Sequence, residues 1–70
     1  EEILNNVYYK EMLMIIQLTL QKMPKRRRLI FELSRFRGLS HKEIADKLDV
    51  SIRTIEHQVY LALIQIFTRQ

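Results

Sequence analysis

Cysteine is absent from the 70 residues, which excludes disulfides and Cys-ligated zinc as staples and fits a reducing compartment; the cytoplasm is the expected location. Glycine and proline occur once each, at Gly38 and Pro24, and no β-rich or turn-rich stretch is visible. Long apolar runs are missing as well. The longest, Met12 to Ile16, falls far short of the roughly 20 residues that a membrane span needs, and no signal-peptide pattern opens the chain. The first residue is Glu rather than Met, so a piece of a longer polypeptide is expected.

The residues of chemistry are equally sparse. His41 and His57 are the only histidines, and neither has a second His three or four positions away, as a helical metal site would require. No Ser/His/Asp arrangement, nucleotide loop or clustered pair of carboxylates can be traced. The expectation is therefore no catalytic residue, no metal and no cofactor: the chain is not read as an enzyme.

With 47% hydrophobic residues, the chain suits one small domain near the lower limit for an unaided core. Its most informative stretch runs from Gly38 to Tyr60. Ser40 followed by Glu43 spells a capping box, so a helix starts at Ser40. Ile44, Ala45 and Leu48 form its apolar stripe, and the small Ala45 lets a second helix cross closely. Asp49 and Val50 break the period and Ser51 offers a second cap. The next helix then runs from about Ile52, with Ile55, Val59, Ala62, Leu63 and Ile66 inward. This is the pattern of a helix-turn-helix, and it aims Arg53, Thr54, Glu56, His57 and Tyr60 outward, where the major groove of duplex DNA is the expected target.

Charge supports that target. Between Lys22 and Arg53 there are ten basic residues against four acidic ones, a local excess of +6, while the remainder of the chain is net −2. The basic field thus centres on the helix-turn-helix and the helix before it, where a phosphate backbone would pass.

Ahead of the motif, residues 2 to about 21 read as one long helix. Ile3, Leu4, Val7, Tyr8, Met12, Ile15, Ile16, Leu20 and Met23 recur three and four apart, and Leu13, Met14 and Leu18 widen the stripe almost to the full circumference. Such a helix is expected to be buried on more than one side. Pro24 ends it and suits the first position of a second helix reaching about Phe36, with Leu29, Ile30, Phe31, Leu33 and Phe36 apolar and Gly38 as a left-handed stop. The run Lys25-Arg26-Arg27-Arg28 falls in the first turn of that helix. Four cations there oppose the helix dipole, so helix stability does not explain them and phosphate clamping does; a solvated basic face is the plainer reading, and a nuclear-localisation run rests on composition alone. The expected fold is all-α, a small bundle of about four helices with a C-terminal helix-turn-helix. Tyr60, Ile64 and Phe67 form a second stripe on the last helix, expected to pack on the first helix or on another chain.

Taken together, Met23-Pro24, the Arg-rich turn, Arg28-Leu29-Ile30-Phe31, Gly38-Leu39-Ser40, Glu43-Ile44-Ala45, Val50-Ser51 and Thr54-Ile55 resemble region 4 of bacterial sigma factors, specifically the extracytoplasmic-function group, over residues 23 to 66. The resemblance implies a four-helix domain that sets its last helix in the major groove of the minus-35 promoter element while the RNA polymerase β-flap holds it from another side. It makes Arg26, Arg27, Arg28, Lys42, Ser51, Arg53, Thr54, Glu56, His57 and Tyr60 the candidate DNA-binding residues. The organisation expected is a single domain over 1–70, with a long N-terminal helix (1–22) before the helix-turn-helix core (23–70). An anti-sigma factor, or a second copy meeting through the apolar first and last helices, is a further expected partner. Asp49 departs from the family's turn glycine, tolerably, since Asp enters the left-handed region at modest cost. Glu56, Gln58 and Leu61 stand where many members carry Arg or Lys; Glu56 either accepts from a cytosine amino group or forms an ion pair that orients Arg53. LuxR-type output domains share Glu43-Ile44-Ala45 and Thr54-Ile55 but open their first core helix differently, and a helical protein-interaction module is the other alternative.

Overall fold

A computed structural model describes residues 6–68, which form four helices and no strand. The first helix, α1, spans Val7–Lys22. Asn6 is its cap, extended in backbone and accepting from the N–H groups of Tyr8 (2.7 Å) and Tyr9 (3.3 Å). The helix therefore starts at Val7 instead of running through from residue 2, and the expected start with Ile3 and Leu4 lies outside the described residues. At the other end Met23 is extended, at ψ 152°, because the ring of Pro24 disfavours helical backbone in the residue before it.

The second helix, α2, spans Lys25–Arg35 with Pro24 as N-cap, one position earlier than expected, and no side chain caps it. Gly38 follows at φ +71°, the left-handed stop read from the sequence. The third, α3, spans His41–Leu48, and both halves of its capping box form: the Glu43 N–H donates to Ser40 Oγ (3.1 Å) and the Ser40 N–H to Glu43 Oε1 (2.8 Å). Asp49 takes the left-handed conformation (φ 58°, ψ 48°), and the N–H groups of Asp49 and Val50 return to the carbonyl of Ala45. The fourth, α4, spans Ile52–Thr68. Ser51 caps it, accepting from the Thr54 N–H at 3.1 Å.

Two apolar clusters hold the helices. Ile30, Ile44, Ala45, Ile55 and Val59 form the core of the helix-turn-helix, while Leu20, Met23, Phe31 and Ala62 join α1 to α2 and α4. Adjacent residues of α2 serve different clusters, Ile30 the first and Phe31 the second, and Leu63 borders both. Ile30, Ile44 and Ile55 are fully buried. Each contributes about 2–5 kcal/mol by the cost of cutting such a side chain to Ala, a large share of a small domain's total.

The Cα radius of gyration is 13.2 Å, above the ~11 Å expected for a compact chain of this length, and the shortest principal extent is 15 Å. That thin shape corrects the expectation for α1. Its main neighbour is α4, so only one side is covered: Thr19 and Leu20 are buried, while Tyr8, Met12, Met14 and Leu18 are exposed. Of the two places expected for the second stripe of α4, the first helix or another chain, the first helix does not cover it. Ala62, Leu63 and Ile66 make the contact with α1, and Tyr60, Ile64 and Phe67 point outward, Phe67 with 81% of its surface open. Leu29 and Phe36, read as apolar positions of α2, are exposed too, Phe36 resting edge-on against Phe31 with ring centroids 6.1 Å apart.

Candidate nucleic-acid interface

The packing of α4 decides what its sequence can reach. Ile55 and Val59 are buried against α2 and α3 and Ala62 against α1 and α2, which turns the opposite side of the helix to solvent. Arg53, Thr54, Glu56, His57 and Tyr60 are all exposed, and Arg53, Glu56, His57 and Tyr60 together line one shallow depression. Ser51 stands at the free tip of the helix, where its hydroxyl lies 2.9 Å from that of Thr54.

This tip is built for a groove. The left-handed Asp49 turns the chain from α3 into α4 in the space of three residues, and while Ile55 packs on α3, Ser51, Ile52, Arg53 and Thr54 stay exposed. The amide groups there are capped only by Ser51, and the first turn of α4 carries Arg53 and no acidic side chain. A helix N-terminus with a cation beside it favours phosphate. Lys42, in the first turn of α3, is exposed and pairs with Asp46 at 3.6 Å, a solvated i,i+4 contact worth a few tenths of a kcal/mol at most. It is the one ion pair among the described residues, so Glu56 does not orient Arg53 through one.

The Arg-rich turn of α2 is divided three ways. Arg26 is exposed. Arg27 is half-buried and donates from Nε to Gln58 Oε1 (3.1 Å) and from Nη1 to Gln65 Oε1 (3.0 Å), which brings the basic turn against the middle of α4. Arg28, also half-buried, borders a recess with Gln17, Leu20 and Gln21 on the α1 side. The three adjacent cations therefore have three different surroundings. Gln58 and Gln65 are the residues that sequence reasoning missed as partners of Arg27. They lie 31 and 38 positions away, and nothing local marks them. His41 opens α3 half-buried beside its cap.

A second surface lies toward the other end of α4. Met12, Ile15, Ile16, Phe31, Leu63, Ile66 and Phe67 enclose an apolar groove of about 390 Å³ between α1 and α4. It contains no titratable side chain. Among the described residues no group of three His, Cys, Asp or Glu side chains is placed to hold a metal ion, and no helix is long and apolar enough to cross a membrane.

Compared with known families, residues 13–66 match the model for sigma-70, region 4. No curated protein and no solved structure matches the chain. The matched span leaves out the first six residues of α1 and the last two of α4, and it includes the motif and five of the seven residues that line the groove. It favours the sigma reading over the LuxR-type alternative. An exposed helix tip, a basic flank and this match over most of the chain converge: the protein belongs to the sigma-70 region 4 family, DNA-binding domains, not enzymes, that act with RNA polymerase in recognising promoters for transcription initiation.

Proposed function

We propose that the chain reads the minus-35 promoter element as region 4 of an extracytoplasmic-function sigma factor, with α4 seated in the major groove. The observation that carries this reading is the open face of α4, where five side chains able to meet base edges or phosphates are exposed while Ile55 and Val59 hold the helix from behind. Arg53, Thr54, His57 and Tyr60 supply donors, and Glu56 accepts from a cytosine amino group, the remaining role for a carboxylate facing a polyanion. Arg26, Lys42 and Ser51 set the domain on the backbone, contacts that position without selecting sequence. Arg28 flanks them from the side of α1.

The apolar groove supports a second contact. Exposed large apolar side chains gathered on α1 and the end of α4 mark a protein-docking surface, and the β-flap of RNA polymerase is its proposed occupant. An anti-sigma factor or a second copy would compete for the same face. In this reading residues 1–70 are one domain of a longer sigma factor acting in the cytoplasm, the N-terminal helix lying before the core of 23–70.

Selection of duplexes from a random-sequence pool by the 70-residue chain, followed by sequencing, tests the DNA reading. One enriched motif of a few base pairs is expected, bound more weakly as salt rises. A pool that stays random while the protein remains folded would overturn it.

A further inference from the structure

Arg27 differs from its neighbours in that its guanidinium donates from both Nε and Nη1. A guanidinium has only donors, so each glutamine must present its amide oxygen to it, and the orientation of both amides follows from that chemistry. Gln58 and Gln65 are seven residues apart on α4, two turns of helix and about 10 Å along its axis. One side chain on α2 therefore grips α4 at two levels. Apolar packing of Ile55, Val59 and Ala62 sets the buried side of α4, and two directional contacts at different levels add resistance to roll and tilt against α2. Roll matters here because a rotation of α4 moves Arg53, His57 and Tyr60 together relative to any groove they enter.

We infer that Arg27 is a positioning residue for DNA recognition: it sets the angle of α4 on α2 and takes no part in clamping phosphate. This rests on the DNA-reading role proposed above. The run Lys25-Arg26-Arg27-Arg28 then serves two purposes, and its members respond differently to substitution. Lysine does not reproduce Arg27, because an ammonium carries its three N–H donors on one nitrogen and lacks the planar fork that reaches two glutamines at once.

The experiment compares Arg27→Lys, Arg27→Gln and Arg26→Gln by fluorescence anisotropy on two labelled duplexes, one selected from a random pool by the unaltered chain and one scrambled, over a range of salt. Arg26→Gln is expected to weaken both duplexes alike and to lower the salt slope by about 0.9. Arg27→Lys is expected to keep the slope and narrow the preference for the selected duplex about tenfold, the equivalent of one charge-assisted hydrogen bond. Gln65→Ala, which alters no charge, should narrow it in the same way and serves if an Arg27 variant fails to fold. Full preference in Arg27→Lys, with Arg27→Gln lowering the slope as Arg26→Gln does, would overturn the inference in favour of a phosphate contact. In the free protein, NMR should find the Arg27 Nε–H exchanging with solvent more slowly than that of Arg26. Equal exchange rates would overturn the two-level grip irrespective of DNA. Equal binding of both duplexes by the unaltered chain would instead defeat the DNA reading, while slow exchange in the same sample would still establish the Gln58 half of the grip.

Discussion

The hydroxyls of Ser51 and Thr54 lie 2.9 Å apart, with Ser51 Oγ also accepting from the Thr54 N–H. One oxygen thus starts α4 and holds the Thr54 hydroxyl at the tip that is proposed to meet DNA. Stability and binding at this position are separable. Ser51→Ala should cost about 1 kcal/mol by thermal melting, the usual value of an N-cap. Ser51→Asp caps equally well and should restore the melting temperature, yet its carboxylate faces phosphate, so affinity for the selected duplex should fall below that of Ser51→Ala. Equal affinities for the two variants would remove Ser51 from the interface.

Gly38 needs its freedom for backbone reasons alone. A Cβ built there meets nothing within 4 Å, so crowding is not the obstacle, while φ +71° is. Gly38→Ala should cost about 1–2 kcal/mol in urea unfolding, and Gly38→Asn clearly less. A loss with Asn as large as with Ala would show that strain at this turn is not the controlling factor.

Ile44 and Ile55 are fully buried in the cluster between α2, α3 and α4. Ile55→Val should lower unfolding free energy by about 0.5–1.5 kcal/mol, and Ile44→Ala by about 2–5 kcal/mol, enough to leave a domain this small largely unfolded at 37 °C. Circular dichroism at 222 nm against temperature reads both. A folded Ile44→Ala protein with an unchanged midpoint would mean that the load is carried by the second cluster, around Phe31 and Ala62.

Arg53 and His57 are proposed to read bases, and Arg53→Ala or His57→Ala should each cost about 1–3 kcal/mol of affinity for the selected duplex. The loss should be accompanied by relaxed preference at one base pair when selection from the random pool is repeated. If either variant instead weakened all duplexes uniformly, that side chain would be reassigned to the phosphate backbone.

Phe67 is largely open to solvent at the rim of the apolar groove. Phe67→Ser should therefore change stability by no more than about 0.5 kcal/mol and leave DNA affinity intact. Capture of RNA polymerase core by the immobilised domain should drop sharply. Unaltered capture would move the polymerase contact away from the groove.

The local devices were legible in the residues because each acts over three or four positions. Ser40 with Glu43, the left-handed Gly38, the Ser51 cap and the inward set Ile55, Val59 and Ala62 all appear where spacing places them. Propensity, capping and apolar period are properties of neighbours in sequence, and here they agree with the packing.

What the chain by itself determined was thus the four helices, their turns and the outward placing of Arg53, Thr54, Glu56 and His57 on α4. Tertiary structure alone decided how the surfaces are shared. A stripe running round α1 announces burial but not how many neighbours exist to provide it, and in so thin a domain there is cover for one side only. Likewise four consecutive cations look equivalent in sequence; the helical turn of about 100° per residue sends Arg26, Arg27 and Arg28 in different directions, and only the place where α4 crosses α2 determines that the middle one meets two glutamines.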